Sequence, residues 1–268
     1  MLIKILKQNI KYLLLLCTVL CFAQKEIQGQ AYYDSKTSFD MENFGRDNMS
    51  EARKREMAER MRSNFEKSFV LTFNQTESIY AEEEKPNTWR GGRFRMMLEM
   101  TSGPHYKNIK EELLLQEQVL LGKKFLIKDS LPNYNWKMLG ETKQIGDYMC
   151  FKATTTKSVP ARAFGFGRPS RDKSEAEQTK EIEIVVWYTL QVPVNQGPGD
   201  YWGLPGLILE LNTDRTTIFC TKLIINSEDK MAIERPSKGK EVSKSDFEAM
   251  MKEKLSEMRS NLREDRRN

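Results

Sequence analysis

The stretch VVWYTLQVPVNQGPGDYWGLPGLILEL, residues 185–211, decides the fold. It begins with Val185–Thr189, whose β-branched and aromatic residues are typical of a strand. It ends with leucines at 207, 209 and 211, an alternation that predicts a second strand with one buried face. Residues 197–206 between them contain four glycines and two prolines, the composition of a turn-rich loop. The stretch therefore predicts a shaped loop that leads directly into a core strand.

The pair Pro205-Gly206 closes this loop. Proline suits the second position of a type II turn, and glycine suits the third position, where φ is positive. The pair therefore predicts a type II turn with a positive φ at Gly206.

Most of the remaining chain also reads as short strands with short connections, typical of an antiparallel meander. Gly122-Lys123 predicts a tight hairpin, and Asn212–Arg215 predicts another turn. The segment 158–179, rich in Pro, Gly, Arg and Ser, predicts a mobile surface loop. The predicted strands are 27–38, 65–81, 93–100, 113–121, 124–128, 136–142, 147–157, 180–191, 207–211 and 216–226.

Two segments have helical periodicity instead. Residues 49–64 predict an inserted helix with Ser50 as its N-cap and a thin apolar stripe. Residues 243–268 predict a C-terminal amphipathic helix, because Ser245 and Glu248 fit a capping box. We expect that helix to pack across the sheet, with a partner-binding or membrane-surface helix as the alternative. Its apolar residues are Phe247, Met250, Met251, Leu255, Met258 and Leu262.

The first 23 residues have the layout of a secretory signal peptide. Three lysines precede the apolar run 12–22, and Ala23 ends a small-residue cleavage site. The run is shorter than the roughly 18 residues that a spanning helix needs, so we expect export without a retained membrane span. The alternatives are an uncleaved anchor and a lipoprotein modified at Cys17 or Cys21. Residues 24–242 are then the β domain.

Removal of that segment changes the charge balance. Without its three lysines, the 43 basic residues fall to 40, against 38 acidic ones. The basic excess that is typical of nucleic-acid-binding proteins is then absent, so we expect no nucleic-acid partner.

Cleavage also leaves two cysteines, Cys150 and Cys220. Since export delivers the chain to an oxidising compartment, we predict a disulfide between them. In the chain-entropy model such a bridge stabilises the fold by roughly 4 kcal/mol. Two separately buried thiols are the alternative.

The sequence is poor in the residues of common catalytic sites. His105 is the only histidine, and it lies in the turn-like Gly103-Pro104-His105-Tyr106. A Ser-His-Asp triad would have to use it, and a zinc site of histidines and cysteines lacks ligands. Phosphate-loop, dinucleotide and calcium-loop motifs are absent. We therefore predict no catalytic residue, no metal site and no cofactor.

Two chemical alternatives stay open. Carboxylates in Glu82-Glu83-Glu84 and Glu111-Glu112 leave room for an envelope hydrolase that uses an acid pair. Methionine clusters such as Met96-Met97 suit Cu(I), a soft metal, although methionine is also a common core filler.

The motifs of residues 69–211 resemble those of the GLPGLI family of exported bacterial proteins. The hexapeptide that gives the family its name is intact at 203–208, and IGDYMCFKA at 145–153 is similar to the family's I-G-x-Y-x-C-x-K-A strand. Three shorter elements match the family's W-Y-T, I-P-I and G-P elements, namely Trp187-Tyr188-Thr189, Val192-Pro193-Val194 and Gly197-Pro198.

The resemblance implies a periplasmic or outer-membrane-peripheral protein with a single curved antiparallel sheet or half-barrel meander. Some members are associated with TonB-dependent transporters of the outer membrane, and the fold is similar in outline to periplasmic lipoprotein carriers, which hold an acyl chain. We therefore expect a non-enzymatic envelope protein. Its binding partner is an apolar ligand, an outer-membrane transporter or another envelope protein.

The hexapeptide region supplies the candidate site. Aromatic residues on or beside the loop suit the mouth of a pocket enclosed by a sheet. The candidate contact residues are Trp187, Tyr188, Tyr201, Trp202 and Leu204. The candidate structural residues are Gly203, Pro205, Gly206, Leu207 and Ile208.

Overall fold

The computed structural model describes residues 27–38, 50, 52, 53, 55, 59, 66–83, 103–160, 179–227 and 231–264. The predicted signal peptide, the predicted strand 93–100 and nearly all of the predicted loop 158–179 lie outside these residues. So does most of the predicted helix 49–64. Its described part includes Arg53, whose backbone N–H donates to Ser50 Oγ over 3.4 Å.

Within the described residues, twelve strands form one sheet. The prediction of a mainly β chain built on a single curved antiparallel sheet is confirmed. The strands are β1 Gly29–Thr37, β2 Lys67–Phe73, β3 Glu77–Glu82, β4 His105–Asn108, β5 Leu113–Leu120, β6 Lys123–Ser130, β7 Lys137–Ile145, β8 Tyr148–Pro160, β9 Thr179–Thr189, β10 Leu207–Asn212, β11 Thr216–Ile225 and β12 Lys240–Ser243.

The sheet consists of two meanders joined side by side. Its order is β12-β6-β5-β4-β3-β2-β1-β11-β10-β9-β8-β7. Strand β1 joins the meanders by pairing with β2 on one side and with β11 on the other, both antiparallel. Strand β12 adds to β6 in parallel. Strand β7 therefore forms one edge of the sheet.

The sheet is strongly curved, as its connections require. Residues 131–136 connect β6 to β7, which lie near opposite ends of the strand order. At roughly 4.8 Å per strand spacing, the path along the sheet between them is about 48 Å. A connection of this length spans at most about 25 Å. The two ends of the sheet therefore approach each other, as in a half-barrel.

Apolar side chains pack on both faces of the sheet around β10. The first core contains Leu207 and Leu209 together with Tyr33, Leu71 and Phe73 from the other meander. The second core, on the opposite face, packs Ile208 and Leu211 against side chains of β8 and β9. Strand β10 is therefore covered on both sides.

The C-terminal helix α1, Lys244–Glu264, packs its first turns on β6. Phe247 is buried and lies edge-on to Phe125, with ring centroids 5.6 Å apart. The N-cap is Ser243, whose Oγ accepts the Asp246 N–H at 3.1 Å. The predicted cap at Ser245 was therefore two residues late. No helix among the described residues is apolar and long enough to span a bilayer.

Some strand predictions were wrong in their bounds. The predicted strand 65–81 is two strands, because the Asn74 carboxamide oxygen accepts the backbone N–H groups of Thr76 and Glu77 and closes a turn. Strand β12 was missed because Lys240–Ser243 is too polar and short to show alternation.

The predicted disulfide is absent, and both Cys150 and Cys220 are free thiols. Cys150 lies on β8 and Cys220 on β11, and β9 and β10 lie between them. A disulfide joins Cα atoms about 4.4–6.8 Å apart, whereas three strand spacings exceed that along the sheet. Both side chains instead pack at the first core, and burial raises the pKa of each thiol to about 11.

Candidate functional site

The loop that precedes the hexapeptide folds back along it. Backbone N–H groups of Leu207 and Ile208 donate to the carbonyls of Val192 and Gln196, at 3.0 and 3.1 Å. Gln196 and Trp202 also form an isolated antiparallel bridge. Val192, Val194 and Gln196 are buried. We call residues 192–206 the motif loop; it is packed against the sheet along most of its length.

Two glycines of the hexapeptide serve different purposes. Gly203 has a φ of +93°, in the left-handed region that favours glycine. Gly206 does not have a positive φ, so the predicted turn geometry was wrong. An added Cβ at Gly206 would instead lie 2.0 Å from the Thr189 carbonyl oxygen. Gly206 is therefore required by the close approach of the loop to β9.

A buried lysine holds the motif loop from the other meander. Lys107 on β4 is fully buried. Its ammonium group donates to the carbonyl oxygens of Gly197 at 2.6 Å and Tyr201 at 2.8 Å. Burial lowers the pKa of Lys107 to about 7, against the opposing effect of Asp200. Because a buried cation needs such acceptors, Lys107 fixes the position of the loop.

Two further buried hydrogen bonds attach the hexapeptide region to the sheet. The Tyr33 hydroxyl donates to the Ile208 carbonyl oxygen at 2.6 Å. Ser78 Oγ donates to Gln196 Oε1 at 2.7 Å. With Lys107, these bonds connect the motif loop and β10 to strands β1, β3 and β4.

Two tryptophans join the motif loop to the start of β7. The Trp136 indole N–H donates to the Trp202 carbonyl oxygen, and the Trp202 indole N–H donates to the Pro132 carbonyl oxygen, each at 2.8 Å. The Tyr134 ring stacks on Tyr201 with centroids 5.1 Å apart. This reciprocal arrangement holds residues 132–136 against the loop.

A charged pair lies beneath these aromatic rings. Lys157 of β8 contacts Asp200 at 3.3 Å, and its ammonium group lies 5.5 Å from the Tyr201 ring centroid. Burial raises the pKa of the Asp200 carboxyl, but Lys157 and His105 outweigh it and hold that pKa below its ordinary value. The enclosed Tyr134 hydroxyl faces Asp200 without a well-formed hydrogen bond. Asp200 is therefore ionised and paired.

His105 lies on β4 near this pair. Burial lowers its pKa to about 4, although Asp200 opposes the shift. Its Nδ1 is enclosed and has no hydrogen-bond partner among the described residues. The imidazole is therefore neutral at ordinary pH.

The structure separates the predicted contact residues. Tyr188 and Leu204 are buried in the second core, whereas Tyr201, Trp202 and Trp187 are half-buried. Trp187 packs at the first core, and Lys143 Nζ lies 4.9 Å from its ring centroid. Of the five, Tyr201 stacks on Tyr134, and Trp202 accepts the hydrogen bond of the Trp136 indole, so these two contact the aromatic residues that precede β7.

A cleft of about 330 Å³ opens beside Tyr134. It lies between the connection that precedes β7 and the edge of β8. Nine of its ten lining residues carry a hydroxyl, amide or charged group, but carbon atoms form more of its exposed surface than nitrogen and oxygen atoms do. It is lined by Pro132, Asn133, Tyr134, Asn135, Lys137, Thr154, Thr155, Thr156, Lys157 and Glu183.

Two of the five carboxylates that motivated the hydrolase alternative are engaged in ion pairs, and Glu84 lies outside the described residues. Glu82 contacts Lys67 at 2.6 Å, and Glu111 contacts Arg235 at 3.0 Å. Within the described ranges, no group of three or more His, Cys, Asp or Glu is placed to hold a metal. The copper alternative rests on two sets of methionines. Met57, Met61, Met96, Met97 and Met100 lie outside the described residues, as does the side chain of Met258, whereas Met250 and Met251 pack in an apolar cluster.

Sequence reasoning missed Lys107, Lys157 and Asp200. Asp200 had a usable signal, because it is the acid within the glycine-rich loop. Lys107 had no such sequence signal, since a lysine in a short polar strand predicts a solvated side chain.

A family model described as "Protein of unknown function (Porph_ging)" matches residues 136–210, which run from the start of β7 into β10 and include the hexapeptide. No curated protein matches the chain. Two solved structures of PNGF-II, in the C2 and P21 space groups, are similar at 15% and 14% identity, each with a TM-score of 0.49. They cover 84% of this chain, which spans about a third of theirs (32% and 33%).

Proposed function

We propose that this chain is a non-enzymatic, exported protein of the bacterial cell envelope, of the GLPGLI type, that binds another protein through the edge of its sheet at β7. The partner class that the family resemblance implies is an outer-membrane transporter. The family-model match over residues 136–210 supports the resemblance, because it includes the hexapeptide.

The main observation in favour of this function is that the chain's own motif loop packs beside the hexapeptide. Lys107 directs its ammonium group at the carbonyls of Gly197 and Tyr201, and it is fully buried. A lysine with a lowered pKa is a potential nucleophile, but this one has no surface that a substrate can reach. A motif loop that packs on the sheet beside the hexapeptide favours a protein partner over both catalysis and an enclosed apolar ligand at this place.

Strand β7 offers the surface for such a partner. Residues 137–142 are exposed, and Met138 and Leu139 have 63% and 38% of their surface accessible. Exposed edge strands pair readily with other chains. Among the described strands, β7 pairs only with β8, so its other edge is unpaired.

Site-specific photocrosslinking in cells that naturally produce the protein tests this proposal. A photoreactive residue replaces Met138 on β7 or, as the control, Leu121 in the β5–β6 turn, which is 45% exposed. We expect an adduct with an outer-membrane transporter, identified by its peptides, from position 138 only. Identical adducts at both positions, or none at either, contradict the proposal.

Two measurements on the purified protein test the alternatives. Acyl lipids in stoichiometric amount after solvent extraction would establish an apolar ligand. Turnover of a glycan or ester substrate, abolished by one polar substitution, would establish an enzyme. We expect neither result.

A further inference from the structure

Strand β8 extends beyond the end of its pairing with the edge strand β7. The pairing of β7 with β8 ends at Lys137, opposite Thr154. The pairing of β8 with β9 continues to Pro160, opposite Thr179. Among the described strands, none pairs with the other side of residues 155–160. Backbone donors and acceptors of this open edge of β8 therefore face away from the sheet at alternate residues.

The cleft beside Tyr134 lies along this open edge. Before Lys137 the chain leaves the sheet plane, because residues 132–136 are held to the motif loop by the two tryptophans. This leaves a space between Tyr134 and residues 154–157. The space begins beyond Lys137, the first residue of β7, and continues along β8 in line with that strand.

We propose that the open edge of β8 binds an extended polypeptide segment of the partner, which adds a strand in line with β7. This inference rests on the proposed function and specifies how the partner is recognised. The bound segment pairs with residues 155–159 and packs one side against Tyr134.

The chemistry of the edge selects a polypeptide. An open strand edge presents N–H and C=O groups at a fixed spacing, and another extended backbone matches that spacing. An acyl chain would leave those groups unpaired at a cost in free energy. Natural edges are often protected by proline or charge, and this one carries Lys157 and Pro160. Lys157 is paired with Asp200, however, and a space lined by Tyr134 lies beside residues 154–157.

Two charged side chains on one face give the site a preference for particular charges in the bound segment. Lys137 lies opposite Thr154, and Glu183 lies opposite Thr156 on the other side of β8. Threonines 154 and 156 point to the same face, so both charges do as well. Neither charge has an ion-pair partner among the described residues. The preferred segment therefore carries an acid near Lys137 and a base near Glu183.

Synthetic peptides test the backbone pairing. The probe is an acetylated, amidated nonapeptide of alternating threonine and valine, with one aspartate and one lysine two residues apart, in both orders. Binding to the purified protein without residues 1–23 is measured by fluorescence anisotropy and by amide NMR shifts. We expect shifts at residues 154–159 with the preferred order.

N-methylation provides the control for the probe. Methyl groups on alternate amides along one peptide edge should weaken binding by about tenfold or more, because they remove the pairing donors. Methyl groups along the other edge should change affinity by less than about threefold. Equal effects from both sets, or no binding by any peptide, would overturn the inference.

Charge reversal tests the preference. Glu183→Lys should lower the affinity for the preferred peptide by about fivefold. A peptide whose lysine is changed to glutamate should bind this variant with the affinity restored. Lys123→Glu, at the distant start of β6, is the control and should have no effect. If both variants respond alike, the open edge is not the site.

The two proposals fail in different ways. A crosslink at position 138 without peptide binding would retain the partner and refute strand addition. Peptide binding at 154–159 without a crosslink would support strand addition and contradict the transporter as partner.

Discussion

Strands β10 and β7 belong to the same meander, separated by β9 and β8, yet they have opposite surroundings. Every residue of β10 is buried or half-buried, while residues 137–142 of β7 are exposed. The difference follows from the motif loop and the other meander, which cover β10 on both faces and leave β7 at the edge. Stability is therefore concentrated at β10, and β7 is left available for pairing.

Glycine substitutions should give the largest contrast between these strands. Gly206→Val should destabilise the protein by about 4 kcal/mol or more, because its side chain collides with the Thr189 carbonyl. Gly140→Val on β7 has no atom within 4 Å of the added Cβ and should change stability by less than about 1 kcal/mol. Urea denaturation measures both. Equal midpoints for the two variants would contradict the close approach.

Leucine truncations test the same contrast without backbone strain. Leu209 is 1% exposed, and Leu209→Ala should cost about 3 kcal/mol through lost burial and a cavity. Leu139→Ala at the edge, where the side chain is 38% exposed, should cost less than about 1 kcal/mol. A large loss for Leu139→Ala would mean that β7 is covered in solution.

Lys107 should make stability depend on pH. Its pKa is about 7 in the folded protein and 10.5 in a model compound, so the unfolded chain binds the extra proton between these values. Stability should therefore rise by roughly 1–3 kcal/mol as pH increases from 7 to 10. Lys107→Met should lose this rise, and the exposed Lys137→Met should keep it. Denaturation midpoints measured across this pH range test the prediction. An unchanged pH dependence of stability in Lys107→Met would exclude Lys107 as its cause.

His105 gives a signal of its own because it is the only histidine. Its pKa is lowered to about 4, so the unfolded chain binds the extra proton between pH 4 and 6.5. Stability should fall by roughly 1–2 kcal/mol as pH decreases through that window, and His105→Gln should abolish this part. The charged groups that act on the imidazole are Asp200, which raises its pKa, and Lys107, Lys157 and Lys244, which lower it. An imidazole NMR titration midpoint at 6 or above would refute the burial.

The tryptophan pair should give the smallest effect. Trp202→Phe removes the hydrogen bond to the Pro132 carbonyl and should cost about 1 kcal/mol. Trp136→Phe removes the reciprocal bond at a similar cost. Because both bonds hold the start of β7 to the motif loop, the double variant should be non-additive. Strict additivity in a thermal denaturation cycle would mean that the two bonds act independently.

The strands around the hexapeptide were predictable because they combine β-branched residues, alternating leucines and clear breakers. The role of Gly206 was not, since glycine serves a positive φ and a close backbone approach equally well. The position of Lys107 was hidden because its acceptors are backbone carbonyls, which leave no trace in the side-chain pattern. The disulfide prediction failed because residue spacing does not show which strands lie between two cysteines.

The pairing of β1 with β11 has a consequence for folding kinetics. These neighbours join distant parts of the chain, as the hydrogen bond between the Gln28 N–H and the Asn226 side chain, 198 positions apart, illustrates. Apart from β12, which pairs with β6 in parallel, neighbouring strands within each meander follow one another along the chain and form comparatively local pairs, whereas the seam requires closure of a very long loop. Docking of the two halves should therefore limit the refolding rate, and substitutions along β1 should alter that rate more than substitutions in the hairpin turns.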